Sequence, residues 1–181
     1  MADYRRARVQ GGTFFFTVVT YQRQNILLDE PVRQALRFAV NETRRTLPFH
    51  IDAWVLLPDH LHCVWTLPDG DDSYSLRWSL IKQSVSRRCA AAYRDKAALS
   101  QSRHKRRESP LWQRRFWEHQ IQDDADFERH VDYIHWNPVK HELVTKVTAW
   151  PYSTFHRYVR EGVYAPDWGL AEDFDGTEFG E

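Results

Sequence analysis

Apolar and polar positions along the chain change period several times, and each change marks an element. "GGTFFFTVVTY" (11–21) is β-branched and aromatic after a glycine pair, which predicts a first strand. Pro31 opens a helical pattern through about Leu47, with Val32, Ala35, Leu36, Ala39 and Val40 at helical spacing. "FHIDAWVLLP" (49–58) and "HLHCVWTLP" (60–68) predict two further strands, with Pro58-Asp59 as the tight turn between them. After the polar loop "DGDD", a second helix is expected from about Leu76 to Ala98 through Trp78, Ile81, Val85 and Cys89. "SQSRHKRRESP" (100–110) has the composition of a mobile basic loop. "LWQRRFWEHQI" (111–121) is expected to hold the fourth strand.

A third helix should start near Asp124 or Asp126, either of which could cap it, and should end at "NPVK", because the residue before proline is pushed away from helical geometry. "WPYSTFHRYV" (150–159) suggests a last short helix. The order β-α-β-β-α-β-α predicts an α+β fold, an antiparallel sheet with helices packed on it. The expected organisation is one domain over residues 1–166, with the basic loop at about 99–110, and an acidic tail at 167–181.

Strand alternation draws attention to "LLPDHLHCVW" (56–65). His60 and His62 fall on one face, about 7 Å apart along the backbone, while Leu61, Cys63 and Trp65 point the other way. Two imidazoles on one face can converge on an ion. An H-x-H taken alone equally describes two ordinary strand residues on a polar face. The third helix changes the picture. Phe127, Val131 and Ile134 form its buried stripe, and His130, Tyr133 and Asn137 form a separate polar stripe. That stripe offers a phenol nucleophile and an amide oxygen as a third metal ligand. Equally, Tyr133 could be packing and Asn137 a helix stop ahead of Pro138.

Charge adds a partner. The chain of 181 residues has no formal net charge, but six acids and no Lys or Arg lie in 167–181. Between Arg77 and Arg115 twelve Lys or Arg face two acids, which points to a polyanion. Arg87, Arg88, Arg106, Arg107, Arg114 and Arg115 are candidates for phosphate contacts. Trp112, Phe116 and Trp117 interleave with the last two, as stacking platforms or as core. The two cysteines make no disulfide framework, the N-terminus lacks a signal-like apolar segment, and no apolar run could span a membrane. The expected location is cytoplasmic, with no membrane partner. A zinc site from His60, His62 and Cys63 is disfavoured, because Cys63 faces away.

"PDHLHCVW" followed by "HVDYIHWNPVKHELV" resembles the REP-associated tyrosine transposases, within the HUH single-tyrosine (Y1) transposases of IS200/IS605 type. "YRR" (4–6), "GGTFFFTV", "FWEH" and "WPYSTFHR" extend the resemblance over nearly the whole chain. Trp136 departs from it, standing where a smaller residue or Tyr is more usual. The resemblance implies the HUH endonuclease fold, with a ferredoxin/RRM-like sheet. It implies His60, His62 and Asn137 as ligands of Mg²⁺ or Mn²⁺, and Tyr133 as nucleophile. Arg5 and Arg6 match the basic segment that meets DNA beside the hairpin. The implied activity is nicking and joining of single-stranded DNA hairpins (REP- or BIME-like) through a 5′-phosphotyrosine, by a monomer or homodimer. A non-catalytic single-stranded nucleic-acid-binding module with a structural His pair is the alternative. His130 is a candidate for proton transfer.

Overall fold

Aromatic and β-branched runs drive the sheet, and their alternation divides it into two unlike faces. A computed structural model describes residues 9–93 and 111–169. Its strands are β1 (Thr13–Val19), β2 (His50–Leu56), β3 (His60–Thr66) and β4 (Trp117–Gln120), in one antiparallel sheet of order β2-β3-β1-β4. The helices are α1 (Glu30–Thr46), α2 (Tyr74–Tyr93), α3 (Asp124–Lys140) and α4 (Phe155–Arg160). The α+β sheet-and-helix architecture is the one expected. The basic loop, the acidic residues from 170 onward, Arg5, Arg6, Arg106 and Arg107 lie outside the described residues, as does the end of the second helix beyond Tyr93.

Phe14, Phe16 and Val18 of β1 share a face with Leu61, Cys63 and Trp65 of β3, and pack beneath α1 and α2. Trp65 stacks on Trp78 of α2 at 4.3 Å between ring centres, and on Phe49 at 4.2 Å. Large flat rings remove much apolar area from water, so this face dominates the hydrophobic stabilisation. Its ionic element is Arg77, fully buried, which donates to Asp71 Oδ2 at 2.5 Å and to the carbonyl of Pro48 at 2.8 Å. That guanidinium holds the Asp71 carboxyl down at about 2, against opposing burial.

On the other face, Phe15 and Thr17 of β1 lie beside Val64, His62 and His60 of β3, beneath α3. The β2–β3 turn is tight, with the Leu57 N–H on the carbonyl of His60 at 2.9 Å. It is stitched to the end of β1: the Thr20 N–H and hydroxyl both donate to the carbonyl of Asp59, at 2.8 and 2.9 Å.

Two boundary expectations for the third helix are corrected. Asp123, one residue before the expected candidates, is the N-cap, accepting from the Asp126 N–H at 2.7 Å. Asp126 instead turns its carboxylate back to the Gln122 N–H and to His119. The helix also does not end at Asn137-Pro138: it runs to Lys140 with Pro138 inside it. Proline removes one ladder bond, but the ladder resumes past it, with the His141 N–H on the Asn137 carbonyl at 3.0 Å. Glu142, in left-handed geometry at φ 56°, then terminates the turn.

Candidate active site

Alternation along β3 puts His60 and His62 side by side, with ring centres 4.9 Å apart and both residues buried. Each ring is oriented through Nδ1. His60 Nδ1 meets Asp59 Oδ1 at 2.6 Å, and His62 Nδ1 meets the Thr17 hydroxyl at 2.9 Å. An imidazole tied through one nitrogen presents the other in a set direction, the usual arrangement behind a metal ligand. His60 Nε2 is buried with no hydrogen-bond partner among the described residues. Burial would raise the Asp59 carboxyl, but hydrogen bonds and charge from His60 and Arg23 outweigh it and hold it below the usual range. Arg23 reaches Asp59 Oδ2 at 3.1 Å from a turn in which Gln22 and Arg23 both take left-handed geometry, at φ 54° and 50°. Such strain in non-glycine residues gathers at functional sites.

Helix α3 lies across this pair. The Tyr133 ring stands 5.3 Å from that of His62, and the His141 ring stands 5.1 Å from that of His60. Asn137 is one helical turn from each and fully buried, so the helix carries its amide between the two contacts. The polar stripe His130, Tyr133 and Asn137 is therefore as deeply buried as the apolar one, while Phe127 is only half-buried. Lys140, on the turn beyond Pro138, donates from Nζ to the Tyr133 hydroxyl at 3.3 Å.

His130 belongs to a neighbouring network. Its Nδ1 lies 2.8 Å from the Asp126 carbonyl and 3.2 Å from Asp126 Oδ1, while His119 Nε2 lies 2.8 Å from Asp126 Oδ2. The three side chains form a compact His/Asp group, with ligand atoms within 4.8 Å of one another. The imidazoles stack almost parallel, 4.7 Å apart and 13° inclined, and brace β4 against α3. Burial lowers the His130 pKa despite the opposing pull of Asp126. Phe15 touches the rings of His62, Tyr133 and His130 and links the two groups.

The basic candidates divide. Arg87 and Arg88 are exposed on α2, in the layer on the opposite side of the sheet from the His pair. The Arg88 guanidinium sits 3.4 Å over the ring of Phe38. Arg114 and Arg115 are exposed on the strip leading into β4. The Gln113 N–H in that strip bonds the carbonyl of Val19, whose strand partner is His60, so the strip passes the end of β1 beside His60. Trp112 and Phe116 are core residues, but Trp117 is 37 % exposed on the His face. Thr17, Asp59, Lys140 and His141 were not singled out from sequence. The i+4 position after Asn137 was the one available signal, for His141.

Residues 9–137 match the family model described as "Transposase IS200 like". The chain is 45% identical over 179 residues to the REP-associated tyrosine transposase of Escherichia coli, covering 98% of each. It also superposes on a solved structure described as the REP-associated tyrosine transposase bound to a REP hairpin, with TM-score 0.77 and 44% identity over 99% of this chain and 98% of that one. The chain belongs to the IS200-like transposase family, in its REP-associated tyrosine transposase branch. Among the described residues, no helix is long and apolar enough to cross a membrane.

Proposed function

We propose that this transposase nicks and rejoins single-stranded DNA at REP-like hairpins through a covalent 5′-phosphotyrosine on Tyr133. The observation that carries the reading is the meeting of Tyr133 with His62 at 5.3 Å, beneath a helix that also buries Asn137. A hairpin substrate is supported by the related structure, which holds one.

In the first step the Tyr133 oxygen bonds to phosphorus and the phenol proton departs. The bond from phosphorus to the 3′-oxygen breaks, and that oxygen keeps the electron pair and takes a proton. Attack by a 3′-hydroxyl on the phosphotyrosine reverses the step and joins strands, with the number of phosphoester bonds conserved throughout. His60 and His62 through Nε2, and Asn137 through its amide oxygen, would hold a divalent ion, Mg²⁺ or Mn²⁺. The buried, unpartnered His60 Nε2 and the Nδ1 anchors on Asp59 and Thr17 fit that donor set. When bound, such an ion would polarise the scissile phosphate and stabilise charge as it develops. Arg114, Arg115 and Trp117 would meet the strand entering the site, the first two at phosphates and the third by stacking on a base.

The test is a denaturing adduct gel with hairpin DNA labelled at its 3′ end. Wild type in Mg²⁺ or Mn²⁺ should give a shifted covalent band. Chelator should remove it, and Tyr133→Phe should bind the hairpin yet give none. An adduct with Tyr133→Phe, or none from wild type on hairpins drawn from the repeats beside its gene, would overturn the reading.

A further inference from the structure

The turn that α3 adds beyond Pro138 has a chemical consequence. Tyr133 and Lys140 are seven residues apart, two turns of the same helix, and therefore share a face. Lys140 Nζ donates to the Tyr133 oxygen at 3.3 Å and lies 5.0 Å from the ring centre. It approaches both the reacting atom and the π-face of the nucleophile. Lys140 lies on the turn beyond Pro138, so it is the continuation of α3 past the proline that brings this cation to the hydroxyl. Pro138 and Asn137 are both buried, and burial of those side chains holds the continued turn in place.

We propose that Lys140 is a catalytic residue of the strand-transfer reaction, resting on the reading of Tyr133 as nucleophile. Its ammonium fixes the phenol oxygen toward the incoming phosphorus and balances negative charge gathering on that oxygen and on the phosphoryl group. The charge is greatest in the transition state, so the contact accelerates chemistry more than it tightens DNA binding. The same cation lies beside the phosphotyrosine ester when the 3′-hydroxyl returns, so joining depends on it as much as cleavage does. No proton or electron is consumed by Lys140 in this role. It acts as a fixed positive group, and the phenol proton leaves to solvent.

The experiment compares Lys140→Met, which keeps the length without the charge, with Lys140→Arg. Single-turnover adduct formation at saturating hairpin should fall about 100-fold in Lys140→Met, the scale of losing one donor to a developing charge. Hairpin affinity should stay within about threefold, because ground-state binding is not what the contact serves. Lys140→Arg should recover at least about a tenth of the wild-type rate. Joining from preformed adduct should fall by the same factor as cleavage. In parallel, tyrosine labelled at the ring carbon bearing oxygen gives an NMR signal for Tyr133, assigned by its absence in Tyr133→Phe. That signal should move in metal-free, DNA-free Lys140→Met. A Lys140→Met rate within about threefold of wild type overturns the proposal, as does an unmoved Tyr133 signal. So does a parallel loss of rate, hairpin affinity and thermal stability, which would make Lys140 structural. Absence of any wild-type adduct, with the NMR shift present, overturns the nucleophile reading itself and this role with it.

Discussion

The two faces of the sheet are made by the same strands, yet they differ in character. Toward α1 and α2, β1 and β3 present Phe14, Phe16, Leu61, Cys63 and Trp65, and the layer is filled with rings. Toward α3 they present the polar Thr17, His60 and His62 beside the apolar Phe15 and Val64, equally sealed from solvent. Burying polar groups costs free energy unless partners are supplied, so a fold selected for stability alone would make the second face resemble the first. The difference teaches that residue parity along a strand is enough to separate a predominantly apolar half of a small domain from the half that carries the proposed site. Substitutions on the two faces should therefore fail in different ways.

The largest separation is expected between His62→Ala and Trp78→Ala. His62→Ala removes a proposed metal ligand and should lower adduct formation more than about 10³-fold. It should cost only about 1–2 kcal/mol of stability, from the Thr17 hydroxyl it strands. Trp78→Ala takes a fully buried ring from the stack with Trp65 and should cost about 3–5 kcal/mol. Its folded fraction should still form adduct at near the wild-type rate. Urea melts and adduct gels on both proteins measure the contrast, and equal activity losses at equal folded fraction would erase it.

A smaller effect tests whether the carboxylate that anchors His60 matters. Asp59→Asn keeps the shape but weakens the hold on His60 Nδ1, and should reduce Mn²⁺ affinity by about 10- to 100-fold. Calorimetric titration of the DNA-free protein with Mn²⁺ measures it. Unchanged affinity would mean that Asp59 serves the turn alone.

Alternation in "HLHCVW" was sufficient to pair the histidines and to turn Cys63 and Trp65 away from them, because a strand's faces follow from parity. Helical spacing likewise put Tyr133 and Asn137 on one stripe. The supporting residues were harder to read for a physical reason. Thr17 reaches His62 from 45 positions away, through strand register, and no local pattern specifies register. Lys140 and His141 were hidden behind Pro138, whose local preference to end a helix lost to burial of Asn137 and Pro138 beneath the turn. The basic count between Arg77 and Arg115 was correct as a count but silent on layers, and it joined Arg87 and Arg88 of α2 to Arg114 and Arg115 on the strip leading into β4.

Acid should weaken the ion pair buried on the aromatic side. Asp71 beside Arg77 is held down at about 2 in the fold, below the ordinary carboxyl value of 3.8. A carboxylate with a lowered folded pKa stabilises the fold above its unfolded pKa. That contribution, about 2 kcal/mol, should be intact above about pH 4 and be lost as pH falls through about 2. Asp71→Asn should remove this part of the acid slope in thermal melts. It should also lower stability at pH 7, because Arg77 is left buried without a counter-charge. Retention of the full wild-type acid slope in Asp71→Asn would place the acid-labile ion pair elsewhere.

The smallest expected effect concerns the two arginine pairs. Arg114 and Arg115 lie on the strip that passes the end of β1 beside His60, whereas Arg87 and Arg88 lie on the α2 layer, one of them over Phe38. Each phosphate contact on single-stranded DNA contributes about 0.7 to the slope of log affinity against log salt. Arg114→Ala with Arg115→Ala should therefore flatten that slope by about 1.4 for the strand flanking a hairpin. Arg87→Ala with Arg88→Ala should leave the slope unchanged within error, although it removes the same charge. Long-range attraction would respond alike to both pairs, since it senses net charge, and is screened over about 10 Å at 0.1 M salt. Equal slope changes would show that the α2 layer also touches DNA, and the division between a stabilising face and a reactive face would then not extend to binding.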